Sequence, residues 1–247
     1  MPRKGSDPCI TRLEPLRPRG LQMRLHLDRG EPFDVALEAL ERMGLGAGDP
    51  LPANRRHHLL DADAEAKVRE AALNLLSHQA RTRAELRRKL LGKGFQPARV
   101  DPCLDRLTER GLLDDRAVAS AFVRDRIHHR PRGKARLTQE LRAKGVSDPV
   151  ARAAVDAVLD DEALSEEALA AKVLDGWLKR QGPATLGALA AREPTPERER
   201  ARRRLHGYLA RRGFRGPALT EALDAARALS YRPTSGARSQ RAPPGAR

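Results

Sequence analysis

The chain has 247 residues, with 48 Lys+Arg against 33 Asp+Glu, a formal net charge of +15 and a pI near 10.9. Aromatics are only 3% of it, which argues against a β-sandwich or barrel and for a helical protein of one or two domains with a polyanionic partner, nucleic acid or an acidic membrane surface. No apolar run approaches the about 18–20 residues of a membrane span, no secretory leader is read in Met1–Cys9, and Cys9 and Cys103 form neither a disulfide framework nor a zinc pattern, so the cytoplasm is the expected compartment.

In chain order, residues 1–60 form a basic N-terminal segment. Leu21–Asp28 alternates apolar and polar residues, the period of a half-buried strand, and Ile10–Glu14 is its expected hairpin partner across a turn at Pro15–Gly20. Asp34 is placed to cap a short helix, Val35–Met43, that Gly44 ends in a left-handed conformation. A Gly/Pro-rich stretch, Gly44–Pro52, then leads into a basic linker holding Arg55, Arg56, His57 and His58.

From Ala64 the text is helical and repeats. With Gly94, Gly145 and Gly213 as origins, leucines stand eight and four residues before each: Leu86 and Leu90, Leu137 and Leu141, Leu205 and Leu209. Ten and thirteen residues after them stand Leu104 and Leu107, Val155 and Val158, Leu223 and Ala226. A cation precedes each glycine (Lys93, Lys144, Arg212) and an apolar residue follows (Phe95, Val146, Phe214). Leucines at i and i+4 share one helix face. The glycine suits the position after the helix, where positive φ carries no Cβ penalty, and the cation suits the negative helix end. Pro97, Pro149 and Pro217 then open the next helix.

An earlier helix completes each unit, through Val68, Ala72 and Leu76 in the first and Ala119, Val123 and Ile127 in the second. In the third copy the same window fails, and a shift of 17 residues recovers Ala170, Leu174 and Leu178. The expected fold is therefore mostly α, three tandem three-helix repeats at 61–113, 114–160 and 161–230, the last with a loop inserted near 181–196. A small β-hairpin module precedes them, and a basic tail, 231–247, is expected to be disordered.

The chain shows no active site. Gly44–Gly48 and Gly92–Gly94 read as helix-end glycines rather than nucleotide fingerprints. Asp114 and Asp115 read as an N-cap and a favourable charge at a helix start. His57–His58 and His128–His129 lack neighbours at metal-ligand spacing, so neither a metal nor a cofactor is expected.

Basic density follows the repeat instead. Arg81, Arg83, Arg87, Arg88, Lys89 and Lys93 against Glu85 give +5, as do Arg124, Arg126, Arg130, Arg132, Lys134 and Arg136 against Asp125. Residues 197–215, with Arg202, Arg203, Arg211 and Arg212, give +6. A charge run is ordinarily a solvated helix face, but recurrence at one repeat position favours a binding stripe. With so few aromatics to stack on bases, its contacts should be to phosphates or to an acidic protein groove. Between the second and third clusters, Ser147–Asp175 holds eight acids against two bases and should be repelled by DNA.

These residues resemble the RecX family, regulators of the RecA recombinase. The resemblance runs through Ala72–Leu76, Arg81–Phe95 (RTRAELRRKLLGKGF), Gly111–Asp115 (GLLDD), Ala121–Arg124, Gln139–Val146 (QELRAKGV) and Tyr208–Phe214 (YLARRGF), spanning 64–228. The N-terminal hairpin is similar to an extension in longer members. The resemblance implies a non-enzymatic, elongated and curved helical array, expected to be a monomer. It would lodge in the groove of the RecA–single-stranded DNA filament, damp ATP hydrolysis and strand exchange, and limit filament growth. That role belongs to homologous recombination, DNA repair and the SOS response. Single-stranded or duplex DNA and RecA are the implied partners, and no membrane is. Val118 stands where an aromatic is usual, Lys134 where proline is usual, and the third unit carries its extra loop. The rivals are a general helical nucleic-acid-binding protein without a recombinase partner and a metal-dependent nuclease or nucleotidyl transferase, which would need a carboxylate cluster.

Overall fold

Alternating apolar and polar residues build a sheet at the N-terminal end of the computed structural model, which describes residues 7–17 and 21–230. Strands β1 (Ile10–Pro15) and β2 (Gln22–Leu27) pair antiparallel with Leu13 opposite Leu25, and an irregularity falls between Ile10 and Arg12. A third strand, β3 (Phe33–Ala36), pairs with β2 in the register Met23–Val35 and Arg24–Asp34. Asp34 is thus not a helix cap. Its carboxylate takes Arg24 Nε at 2.8 Å and Nη2 at 3.2 Å across the strands. The helix, α1 (Leu37–Met43), begins only after β3 and ends at Gly44 with φ +61°.

The expected basic linker is helical. Helix α2 (Ala53–His78) contains Arg55, Arg56, His57 and His58 and runs through the expected division at 60/61 without a break. One half, through Leu59 and Ala66, closes the core under the sheet with Leu25, Val35 and Leu40. The other half, through Val68 and Ala72, joins the next core. The Gly/Pro-rich stretch before it is pinned as well: Leu51 is buried, and Gly48 N donates to Ile10 O at 2.7 Å. Asp63, buried on α2, accepts the Ala36 amide and the Lys67 ammonium, each at 2.7 Å. The strand-to-helix junction is thereby satisfied from a distant turn.

The repeat takes the form that its spacing predicts. The first unit uses α2 with α3 (Arg83–Gly92) and α4 (Pro97–Glu109), and the second α5 (Asp115–His129), α6 (Lys134–Ala143) and α7 (Asp148–Asp161). Gly94, Gly145 and Gly213 have φ of +89°, +86° and +89°. After each, the apolar residue sends its N–H back to a leucine carbonyl, Phe95 to Leu90, Val146 to Leu141 and Phe214 to Leu209. This bond satisfies an orphan carbonyl of the last turn. The leucines at −8 and −4 are fully buried in all three copies.

The third unit departs from three helices. Between α8 (Glu166–Leu178) and α10 (Pro196–Arg211), which precedes α11 (Gly216–Ser230), the expected loop near 181–196 contains an eight-residue helix, α9 (Pro183–Ala190). Pro183 opens it, and it buries Leu189 and partly buries Leu186 on one face, against α10 and α11. The expected first-helix residues Ala170, Leu174 and Leu178 are buried on α8. By contact density the chain divides into two compact units, 1–115 and 116–247. The expected tail, 231–247, lies outside the described residues.

Candidate basic interface

The clustered cations do not share one fate. On α3, Arg87 grips Asp101 through two hydrogen bonds, Nε at 2.7 Å and Nη2 at 3.1 Å. That pairing holds the Asp101 carboxyl below its usual range and raises the guanidinium. Arg81 donates Nε to Leu75 O at 3.2 Å, and Arg83 pairs with Asp105 at 2.8 Å. Arg88, Lys89 and Lys93 remain exposed, with no ion pair among the described residues. Helix α3 starts in a capping box, Thr82 Oγ1 accepting from Glu85 N at 3.1 Å and Glu85 Oε2 from Thr82 N at 3.3 Å.

In the second cluster neutralisation goes further. Arg124 reaches Asp161 at 2.9 Å and Glu162 at 3.8 Å, so part of the acidic block is matched to this unit's own arginine. Arg126 takes Asp125 and Glu140 and lies 4.4 Å from the Phe122 ring centre. Arg136 bonds Glu140 at 2.9 Å, and Lys134 bonds Asp156 at 2.7 Å. Arg130 is exposed and outside any ion pair among the described residues. Arg132 is half-buried, with Nε 4.0 Å from Glu140 and no hydrogen-bond partner. In the third cluster Arg202 reaches Asp224 at 3.4 Å, Arg203 reaches Glu199 at 3.8 Å, and Arg212 stacks 4.6 Å from the Tyr208 ring centre. Arg211 is exposed.

Three of these pairs are one pair repeated. Arg83–Asp105, Lys134–Asp156 and Arg202–Asp224 each join the residue eleven before the repeat glycine to the residue eleven after it. The cation's recurrence therefore has a structural partner, a clamp between the second and third helices of every unit. Spacing alone could have revealed it, had the acids been aligned along with the leucines. A second recurrence concerns the helix starts. Arg83 N donates to Asp115 Oδ1 at 2.7 Å and Lys134 N to Glu166 Oε1 at 2.9 Å. In both cases the first residue of one unit's middle helix is capped by the first residue of the next unit's leading helix, satisfying an orphan amide. Asp115 thus serves two helix N-termini. Lys134, where proline is usual in the resembled pattern, uses its backbone N–H in this bond, which proline could not make.

Glu140 organises the second cluster. Burial alone would push its carboxyl up, but hydrogen bonds from Arg136 and Arg126 and the nearby Arg132 charge more than reverse this, leaving it below the usual range. A carboxylate depressed on folding contributes stability that is complete above its ordinary value of 4.5 and fades as pH falls through the lower folded value. Glu140→Gln should therefore cost about 1–2 kcal/mol at pH 7. In urea titrations across pH, its difference from the parent protein should vanish under acid. A difference independent of pH would contradict the assignment.

No helix among the described residues is long and apolar enough to cross a membrane, and among them no group of three or more His, Cys, Asp or Glu could hold a metal ion. Burial of Cys103 pushes its thiol up, away from reactivity.

Comparisons with known proteins agree with the repeat. A family model described as the first three-helix domain of RecX matches residues 69–107, and one for the second three-helix domain matches 114–155. The chain is 38% identical over 151 residues to regulatory protein RecX of Halorhodospira halophila, covering 61% of this chain and 83% of that one. It is 39% identical to that of Mycolicibacterium smegmatis, over 61% and 74%, and 34% identical to that of Prosthecochloris aestuarii, over 66% and 95%. A crystal structure of regulatory protein RecX shares the fold at a TM-score of 0.68 and 24% identity, covering 88% of this chain and 99% of the other. With two unit models matched in the order of its own internal repeat, and relatives aligned over most of their lengths, this chain belongs to the RecX family.

Proposed function

We propose that this protein is a non-enzymatic regulator of the RecA recombinase that seats in the groove of the RecA–single-stranded DNA filament and damps ATP hydrolysis, strand exchange and filament growth. Recombination and repair in the cytoplasm are the processes it would modulate. The observation that carries the reading is the match of residues 69–107 and 114–155 to two successive domains of a family whose members are named regulatory proteins. Arg88 and Lys89 on α3 and Lys93 at its end, exposed and outside any ion pair among the described residues, support it, because charges already committed to internal acids have less to offer a polyanion. Helical units that repeat one cap and one clamp suit a partner that is itself a regular polymer.

Titrating the protein into RecA turning over ATP on single-stranded DNA should slow hydrolysis at substoichiometric to equimolar ratios. No inhibition across the full titration would sink the reading. If affinity for bare strand equals that for the filament, with a log–log salt slope of about −0.7 per neutralised phosphate, the protein is a general nucleic-acid binder instead.

A further inference from the structure

A cavity of about 430 Å³ lies within the 116–247 unit, between the end of α5, α8 and α10. That volume falls in the range of small-ligand sites, about 300–1,000 Å³. Its lining brings together Arg130, Arg132, Lys172, Arg180 and Arg212 around Tyr208, and no carboxylate lines it among the described residues. The nearest acids stand behind the lining: Glu140, hydrogen-bonded to Arg126 and Arg136, is 4.0 Å from Arg132 Nε, and Glu162 reaches Arg124 and the lining His128.

Two of the cations are held in place. Arg180 Nη2 donates to Tyr208 Oη at 2.7 Å, and Arg212 stacks on the same ring at 4.6 Å while Nη1 reaches Pro131 O at 3.5 Å. Arg132 is the least comfortable member. Its Nε is buried without a hydrogen-bond partner. Burial, and then the charge of Arg212, both work against its protonated form. Like charges converging on a partly dehydrated cleft, one with an unmet donor, repel one another until a multivalent anion supplies acceptors. Planar guanidiniums match the geometry of phosphate oxygens.

We propose that this cavity is a phosphate-binding site, occupied either by a backbone phosphate of single-stranded DNA or by a free phosphate compound. Arg132 and Arg212 are its principal ligands and Lys172 closes the charge at its rim. Phosphate binding in this cavity does not depend on seating in a filament.

The chain's one tryptophan supplies the readout. Trp177 follows the cavity residue Gly176, and its ring centre lies 6.3 Å from that of Tyr208. Full-length protein titrated with inorganic pyrophosphate at constant ionic strength should show a saturable change in Trp177 fluorescence with one site per chain. Arg132→Met should weaken binding at least tenfold while leaving the protein folded, because the buried Nε it removes makes no hydrogen bond and only a long ion pair, 4.0 Å, with Glu140. Lys172→Ala, at an exposed position, should weaken binding severalfold, and Lys179→Ala, outside the lining, should change nothing. Displacement of pyrophosphate by a dT15 strand assigns the site to nucleic-acid backbone, and failure to displace it assigns the site to a free phosphate compound. Non-saturable quenching, or parental affinity in a folded Lys172→Ala and Arg132→Met, would overturn the proposal.

Discussion

Gly213→Ala is expected to destabilise the 116–247 unit by about 2–5 kcal/mol, the largest effect of a glycine-to-alanine change among the described residues. Two independent terms contribute. Gly213 has φ +89°, where a side chain costs about 1–2 kcal/mol. A Cβ there would also overlap Arg136 Cβ and stand 2.5 Å from its backbone nitrogen. Forced overpacking of this kind costs about 1–3 kcal/mol. The crowding arises because the loop entering α6 crosses the end of α10, Gly133 N donating to Arg212 O at 2.9 Å. Two other glycines separate the terms. Gly133 has an ordinary φ of −71°, but a Cβ on it would sit 2.5 Å from Gly213 O, so Gly133→Ala should show the clash alone. Gly94 has φ +89° with nothing within 4 Å of an added Cβ, so Gly94→Ala should show only the conformational cost. Urea unfolding followed by Trp177 fluorescence reports on the first two and circular dichroism on the third. If Gly213→Ala costs no more than Gly94→Ala, the close approach of the second and third repeats is wrong.

The triple charge reversal Arg88→Glu, Lys89→Glu and Lys93→Glu is expected to weaken filament binding at least tenfold and to flatten its salt dependence. Because these three are exposed and outside any ion pair among the described residues, folding stability should change by no more than about 0.5 kcal/mol per site. Arg87→Ala makes the contrast. It strands Asp101 without its two-pronged partner, so it should lower the melting temperature while removing only one charge from the surface. Anisotropy with labelled filaments, beside thermal melts of the same variants, separates these outcomes. Equal loss of binding from Arg87→Ala and from the triple reversal would deny the distinction between committed and free cations.

The helical repeat was legible because leucine spacing, a left-handed glycine and an opening proline are each local demands of a helix and its ends. Gly94, Gly145 and Gly213 announced their backbone conformation in advance. What escaped depends on distant partners. Asp34 looks like a helix cap in one dimension, but it faces Arg24 across a strand pair, and the amide at the true helix start is taken by Asp63, 27 residues on. Arg55, Arg56, His57 and His58 read as a basic linker because the half of α2 carrying them buries few large side chains, Leu59 foremost. Helix α9 reads as a loop in the sequence because eight residues interrupted by Gly187 carry too little periodicity to separate helix from coil. At the candidate interface the basic residues were visible, but not their partners. The Arg83, Lys134 and Arg202 clamps and the crossed caps from Asp115 and Glu166 depend on which acids folding brings close.

Co-sedimentation of the full-length protein with RecA–single-stranded DNA filaments, beside DNA alone at the same salt, tests the regulatory role most directly. A filament regulator should pellet with the protein filament at salt concentrations that release it from bare strand, and the Arg88, Lys89 and Lys93 reversal should leave it in the supernatant. Equal recovery with bare DNA and with filaments, or no recovery with either, would contradict that role.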